Sequence, residues 1–446
     1  MAEERALSDA PPARETGPRL ARVVPRWQIV PLAVGDVVGS GVYLLPAAAA
    51  ALLGPLSILA VIAAGLVVAL IVLCFAEASS RFDEPGGAYL YTREAFGPFA
   101  GFEVGWMSWL ARVATLASIA NGFALATSYL LPAAQGGPTR TLLVAGPLIL
   151  FAAIHVRGVS RGVGVSVALV AAKLLPLLIF IAAGLFALQP SLLRVDATPP
   201  ARAFGESALL LLFAYGGFES TSVAAGEFRN PKRDVPFALL LMIVIVTLIY
   251  GLVQLVAVGT LAELAASESP LAEASAGFLG SAGGVLLSLG AMVSILGLQS
   301  NNTLNGSRYV YALARDGYGP ALLAYVHPRW RTPVPAIVFQ TTVVLALAFT
   351  GSFVQLALLS VVARLATYVG TAAALPRLRR VLPDDGRAVR LPGGALIPGA
   401  ALLVCVVLAA STGPANLLAG AAALVVGALV YGERASRARR RSAPER

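Results

Sequence analysis

Gly35-Asp36-Val37-Val38-Gly39-Ser40-Gly41-Val42-Tyr43 and Phe213-Ala214-Tyr215-Gly216-Gly217-Phe218-Glu219-Ser220 interrupt two long apolar segments. The first segment runs from about Trp27 to Leu53 and breaks at Gly39-Ser40-Gly41. The second runs from about Phe204 to Ala225 and breaks at Tyr215-Gly216-Gly217-Phe218-Glu219. A helix in lipid keeps its backbone hydrogen bonds internal, because hydrocarbon offers no partners for free N–H and C=O groups. Two helices that give up those bonds near mid-depth imply a polar ligand there. Paired interruptions in corresponding positions of two halves are the sequence mark of a secondary-transporter site.

Composition supports a membrane reading. Of 446 residues, 58% are hydrophobic and 13% charged, and the mean hydropathy is +0.80. That balance excludes an ordinary soluble domain. Apolar stretches long enough to span a bilayer recur along the chain. The expected spans are 27–53, 57–80, 99–131, 139–156, 163–188, 204–225, 235–261, 283–313, 334–350, 352–376, 394–411 and 414–432. The fold class expected is thus an all-α integral membrane protein of about twelve transmembrane helices. The net charge of +10 does not point to nucleic acid, because the arginines cluster in short loops between apolar spans. Cys74 and Cys405 both fall inside spans and read as small core residues, not as a disulfide or metal pair. His155 and His327 have no metal-ligand spacing, so no metal and no cofactor are expected. Residues 1–26 are polar and rich in Pro and Arg, with no cleavable signal, and read as a cytoplasmic tail.

Loop charge orients the spans. An even number of spans puts both termini on one side. That side carries 26 of the 33 Lys and Arg residues in its loops and tails, whereas the other has Arg140, Arg194 and Arg202. The positive-inside rule makes the richer side, and both termini, cytoplasmic in a cytoplasmic (inner) membrane. The loop 262–282 has Glu263, Glu268 and Glu273 and neither Lys nor Arg, which suits the outside. The interrupted spans are first and sixth, so a five-helix repeat places them in equivalent positions. Five is odd, and the second repeat therefore enters from the opposite face. The division expected is a tail over 1–26, a first repeat over 27–188, an inverted second repeat over 204–376, two added helices over 394–432 and a basic tail over 433–446.

Candidate site residues follow from the breaks. Val38, Gly39, Ser40 and Gly41 precede a half-helix whose free N–H groups and positive dipole end suit a carboxylate. Small residues also serve helix packing. The second break adds Phe213, Ala214 and Gly216 as candidates: free carbonyls at the end of the preceding half-helix suit an amine, and Phe213, Tyr215 or Phe218 could close over a ligand. Glu219 is an intramembrane carboxylate and hence a functional candidate; bracing the unwound segment is its alternative role. Lys173, in Ala172-Lys173-Leu174-Leu175-Pro176, lies about ten residues inside its span, too deep to snorkel fully. A buried Lys can cycle its proton, so Lys173 and Glu219 are the coupling candidates. Arg112 and Arg364 are also intramembrane and either line the pathway or neutralise Glu103 or Glu219. Asp36 stands one turn before the first break, where it could bond the loosened backbone.

The chain resembles the amino acid–polyamine–organocation superfamily of permeases, over essentially its whole hydrophobic length. Besides the two interrupted stretches, the resemblance is carried by Ala76-Glu77, Pro85-Gly86-Gly87-Ala88-Tyr89-Leu90-Tyr91, Phe96-Gly97 and Glu227-Phe228-Arg229-Asn230-Pro231-Lys232-Arg233. It implies a LeuT-like five-plus-five inverted repeat with two added helices, helices 1 and 6 being discontinuous. It implies that the α-carboxylate meets the Ser40-Gly41 break and the α-amine the carbonyls near Phe213 and Ala214. In sodium-coupled relatives of the fold a cation lies between the first and eighth helices. In many permeases similar to this one a fifth-helix Lys takes that place, and Lys173 matches it, which implies proton coupling or exchange.

The third helix here offers Ala111 and Arg112, and the eighth Asn301 and Asn302, as substrate contacts. A fixed Arg112 disfavours a cationic substrate, and the resemblance places it where some light-subunit-type exchangers of neutral or anionic amino acids have an arginine. Neutral, small or polar amino acids are therefore expected first, anionic ones next, and cationic amino acids or polyamines last. An enzyme is not expected, since no nucleophile–base–acid set is present. A sensor that keeps the fold without transporting is the alternative of another class. The partners expected are an amino acid, a proton or counter-substrate, and the lipid bilayer; a homodimer is compatible with this reading. Cysteines introduced into the 262–282 loop should react with an impermeant maleimide added outside intact cells. Reaction only after the cytoplasmic face is opened would reverse the topology.

Overall fold

The computed structural model describes residues 24–83, 86–158, 163–195, 198–223, 225, 228–382 and 388–442. The expected tail over 1–26 falls outside these residues up to position 23, as does Pro85 of the quoted motif. Among the described residues the regular structure is helical, and the one extended pairing is an isolated bridge between Val24 and Phe228. The helices are α1 (Arg26–Val37), α2 (Ser40–Leu53), α3 (Ser57–Ser79), α4 (Gly87–Phe96), α5 (Pro98–Ser128), α6 (Gly137–Val156), α7 (Val163–Gly184) and α8 (Ala201–Ala214). They continue as α9 (Glu219–Val223), α10 (Pro231–Thr260), α11 (Pro270–Arg315), α12 (Val334–Ala348), α13 (Phe353–Val381), α14 (Leu396–Ser411) and α15 (Pro414–Ser442).

Seven helical stretches among the described residues are long and apolar enough to cross a membrane, and shorter apolar helices lie at Val170–Gly184, Val334–Ala348 and Leu396–Ser411. Large apolar side chains point outward from many of them. Leu66, Leu142, Val244, Leu248, Leu403 and Leu418 are each more than 60% exposed. Water would penalise such a surface and lipid does not.

Helix starts obey local chemistry. Pro98, Pro231 and Pro270 each occupy a first-turn position, where the missing N–H is no loss. Ser352 and Gln355 form a reciprocal capping box at the start of α13, with contacts of 3.3 and 2.9 Å. Two boundaries differ from expectation. The 262–282 loop is partly helical: Pro270 and Glu273 start α11, and Gly280, at φ 71°, separates this first section from the long remainder. The last helix continues beyond the expected end at 432 to Ser442.

The centre of the protein is α5 against α13. Their contact is a seam of small polar residues: Thr115–Ser360 at 2.6 Å, Ser108–Thr367 at 3.0 Å, and Ser360 Oγ donating to Ala111 O at 3.0 Å. Ser118 Oγ donates to Phe353 O at 2.7 Å, and Asn121 Nδ2 to Ala348 O at 2.8 Å. Small polar side chains let apolar helices approach and hydrogen-bond where no water competes. The seam fixes the register of Arg112 and Arg364. Near the end of α3, the fully buried Glu77 accepts from Arg379 at 2.7 and 2.6 Å, from Arg81 at 3.1 Å and from the Leu391 N–H at 3.0 Å. These charge-assisted bonds tie α3 to α13 and to the segment that follows it.

Both expected interruptions fall between helices. α1 ends at Val37 and α2 begins at Ser40, so the backbone leaves helical geometry at Val38 and Gly39, slightly before the centre of Gly39-Ser40-Gly41. α8 ends at Ala214 and α9 begins at Glu219. Gly217 lies at φ 121°, and a Cβ there would fall onto the Asp36 carbonyl. The turn therefore needs glycine for conformation and for the close approach of α1. Gly217→Ala should lower stability in detergent by more than about 1 kcal/mol. Gly297→Ala, in the open interior of α11 with no atom near its Cβ position, should be neutral or stabilising by up to about 1 kcal/mol. Thermal melts of the two variants check the contrast.

Candidate functional site

α1 and α8 stop where their last carbonyls have no following turn to accept from. An α-helix leaves such orphan groups at its C-terminus. Tyr250 of α10 meets two of them, its hydroxyl lying 3.1 Å from Val37 O and 3.0 Å from Ala214 O. One side chain thus bridges the two broken ends. Lys173 of α7 meets two more on the first break, with Nζ donating to Gly35 O and to Val38 O, the latter at 2.8 Å. A cation at a helix C-terminus also matches the negative end of the dipole. Tyr43 Oη in turn donates to Lys173 O at 2.8 Å, tying α2 to α7.

The start of α2 faces the opposite need. Gly39 precedes it in a non-helical conformation, at φ −143° and ψ −142°, and no side chain caps the first turn. Its amides open toward a cavity lined by Gly39, Ser40 and Gly41 from the first break and by Phe213, Ala214, Gly216 and Gly217 from the second. Asp36, Arg112, Thr115, Glu219, Asn301, Asn302 and Arg364 complete its polar wall. A smaller cavity, walled by Gly86, Ala88, Tyr89 and Ala111, shares Arg112, Glu219 and Arg364 with it. These three charged groups form the partition between the two.

Most expected contacts converge on the larger cavity, but several have other duties. Val38 is buried and does not line the cavity; its carbonyl accepts from Lys173 and, at 3.4 Å, from Ser294. Tyr215 turns away: its hydroxyl donates to Val61 O at 3.0 Å, and its ring packs 5.1 Å from Tyr250. Phe218 is fully buried against Phe75 and Tyr368, with ring centroids at 5.3 and 5.4 Å. Among the three expected aromatics only Phe213 lines the cavity, edge-on to Phe353 at 5.8 Å. Ala111 faces the smaller cavity. Asn301 and Asn302 line the larger one, but Asn301 donates to Asp36 Oδ1 at 3.1 Å and accepts from Asn305 at 2.8 Å, while Asn302 donates to Leu298 O at 3.0 Å. Gly41 has a further reason to be small, since a Cβ there would come within 2.8 Å of Ala214 Cα and Cβ, where α2 crosses α8.

Glu219 braces the second break and carries an ion pair. Its Oε2 accepts the Gly217 N–H at 3.1 Å, and its Oε1 lies 3.5 Å from Arg364 Nε. Arg112 instead donates to Ser220 Oγ at 3.1 Å and covers the Tyr309 ring at 5.2 Å. Asp36 and Arg364 were named from the sequence, and Arg364 meets Glu219, one of the partners expected for it; Tyr250 was not among the residues that the break pattern selects. The helical spacing of an isolated Tyr or Arg carries no sign of which neighbour it faces.

A sequence model of the family described as "Amino acid permease" matches residues 26–432. The chain belongs to that family. It is similar to the Methylthioribose transporter of Bacillus subtilis (strain 168), 27% identical over 445 residues and covering 94% of each chain. It is also similar to the Branched-chain amino acid permease BcaP of the same organism, 26% identical over 448 residues and 96% of each. The Serine/threonine exchanger SteT, again from Bacillus subtilis, is 28% identical over 372 residues, 81% of this chain and 84% of its own. An amino acid permease with several apolar helices is a multi-pass membrane transporter and not an enzyme.

Removing the bridging hydroxyl isolates its contribution. Tyr250→Phe keeps the ring but leaves the Val37 and Ala214 carbonyls without that donor. It should destabilise the permease by about 1–3 kcal/mol, seen as an earlier thermal unfolding transition. An unchanged transition would mean that the two breaks are held by other contacts.

Proposed function

We propose that this permease is a secondary active carrier of amino acids that works by alternating access in the cytoplasmic membrane. One observation carries the reading: a single cavity is bounded by the uncapped start of α2 and by the end of α8. The α-carboxylate binds at the Ser40 and Gly41 amides, and the α-amine at the carbonyls ending α8, on the lone pairs that Tyr250 and the Gly216 N–H leave over. Both partners of a zwitterion are then met by backbone, which recognises every α-amino acid alike. The relatives differ in what their names say they carry, so the side-chain class is set by the rest of the wall. Arg112 and Arg364 disfavour a cationic side chain there. The substrate side chain is neutral or acidic.

The reading takes the helices as twelve spans with both termini inside, the repeats 27–188 and 204–376 as related by inversion, and the pair 394–432 as added outside them. Coupling is assigned to Lys173. Its ammonium joins α7 to the end of α1 through the Gly35 and Val38 carbonyls, in the role that a bound cation plays elsewhere. Loss of its proton takes the charge from that tie, weakens it and biases the two facing states. Glu219, at the partition between the cavities, is the second group that the cycle moves. The similarity to a serine/threonine exchanger supports exchange as well as proton symport.

Lys173→Ala is the discriminating variant. Proteoliposomes containing it should lose accumulation driven by an inward proton gradient, or, for an exchanger, show skewed inside and outside affinities. Wild-type uptake at every pH tested would assign Lys173 to structure alone.

A further inference from the structure

The charges that line the cavity balance, and one further cation stands behind its wall. Asp36 and Glu219 line it with Arg112 and Arg364, and Lys173 sits behind α1 on the Gly35 and Val38 carbonyls. Counted formally, two carboxylates face three cations. A zwitterion with a neutral side chain adds one charge of each sign and leaves the excess in place. An acidic amino acid cancels it.

Both carboxylates already have work. Asp36 accepts from Asn301 at 3.1 Å, and Glu219 accepts the Gly217 N–H at 3.1 Å. Arg364 is the less satisfied partner of its ion pair. It is only 5% exposed. Its Nη2 donates to Thr115 Oγ1 at 3.1 Å, but Nε and Nη1 make no hydrogen bond among the described residues. Nε lies 3.5 Å from Glu219 Oε1, beyond the distance of a good N–H···O bond. Nη1 lies against Gly216, where a Cβ would fall onto it. The second break therefore seats this guanidinium as well as freeing carbonyls. Arg112, 8% exposed, has a serine and a tyrosine ring for partners. A buried guanidinium with open N–H groups is costly until an anion completes it. Its planar fork matches a carboxylate.

We propose that Arg364, together with Arg112, forms an acid-recognising subsite, and that the transported amino acid carries a second carboxylate on its side chain. This rests on the amino acid carrier reading above and names its substrate class. Arg112 alone ranks neutral side chains first, as expected from the sequence. A second guanidinium with open donors on the same wall moves acidic ones ahead. The α-carboxylate stays at the Ser40 and Gly41 amides, and the side-chain carboxylate takes the stretch of wall that Arg112 and Arg364 share.

Ligand-induced thermal shifts on the purified full-length protein at neutral pH test this, using glutamate and aspartate against their own amides, with alanine and serine alongside. The acid of at least one pair should bind about tenfold or more tighter than its isosteric amide. That ratio should fall toward one in Arg112→Gln and in the charge-balanced double variant Arg364→Gln/Glu219→Gln. Glutamine and asparagine binding as tightly as the acids to the wild-type protein would overturn the subsite and leave the carrier reading standing. Binding of no amino acid at all would overturn both. An acid preference that survives in both variants would remove the arginines from the recognition. The wild-type ratio decides the substrate class even where a variant does not fold.

Discussion

A helix that stops inside an apolar protein leaves carbonyls at one end and amides at the other, and each must find a partner. Here the carbonyl ends are closed from behind. Tyr250 holds Val37 O and Ala214 O together, and Lys173 holds Gly35 O and Val38 O. The amide end of α2 has no side-chain cap and opens to the cavity. Ligand chemistry is therefore divided by position: protein donors steady the carbonyl ends, whose remaining lone pairs suit an amine, and the uncapped amide end suits an anion. Without that closure, neither break would hold still enough to define a site.

The remaining charges are placed by the α5–α13 seam. Hydroxyls of Thr115 and Ser360, at 2.6 Å, pin the two helices at the level of the cavity. Arg112 precedes Thr115 by one turn on α5, and Arg364 follows Ser360 by one turn on α13, so the register that pairs the hydroxyls also brings both guanidiniums to the wall. Arg364 then bonds Thr115 itself and reaches Glu219 at 3.5 Å. The three charged groups separate the larger cavity from the smaller one. A movement that opens one side must rearrange them.

Composition and glycine placement made the helical class and both interruptions legible. Gly216-Gly217 marks a turn that only glycine fits, and the second break lies where that pair stands. Lys173 was legible because an ammonium deep in an apolar span needs a partner, although the identity of its acceptors was not. Side-chain direction was the illegible part. Phe213 and Phe218 are five residues apart around an irregular turn, and only the folded turn decides that one faces the cavity and the other faces Phe75. Tyr250 looked like any aromatic in a long apolar helix. Its bridging role depends on two helix ends far away in sequence meeting on either side of it. The helical stretch inside the 262–282 loop was missed because an acidic, serine-rich segment reads as loop unless Pro270 and Glu273 are taken as a helix start.

The central claim is that the uncapped start of α2 receives the substrate carboxylate while Lys173 and Tyr250 keep the carbonyl ends closed. A substrate-bound structure determined in lipid, with whichever amino acid stabilises the protein most, tests it directly. The account predicts carboxylate density within hydrogen-bond distance of the Ser40 and Gly41 amides, with Tyr250 still between Val37 and Ala214. Substrate density away from both breaks, with the start of α2 capped by another group, would contradict it.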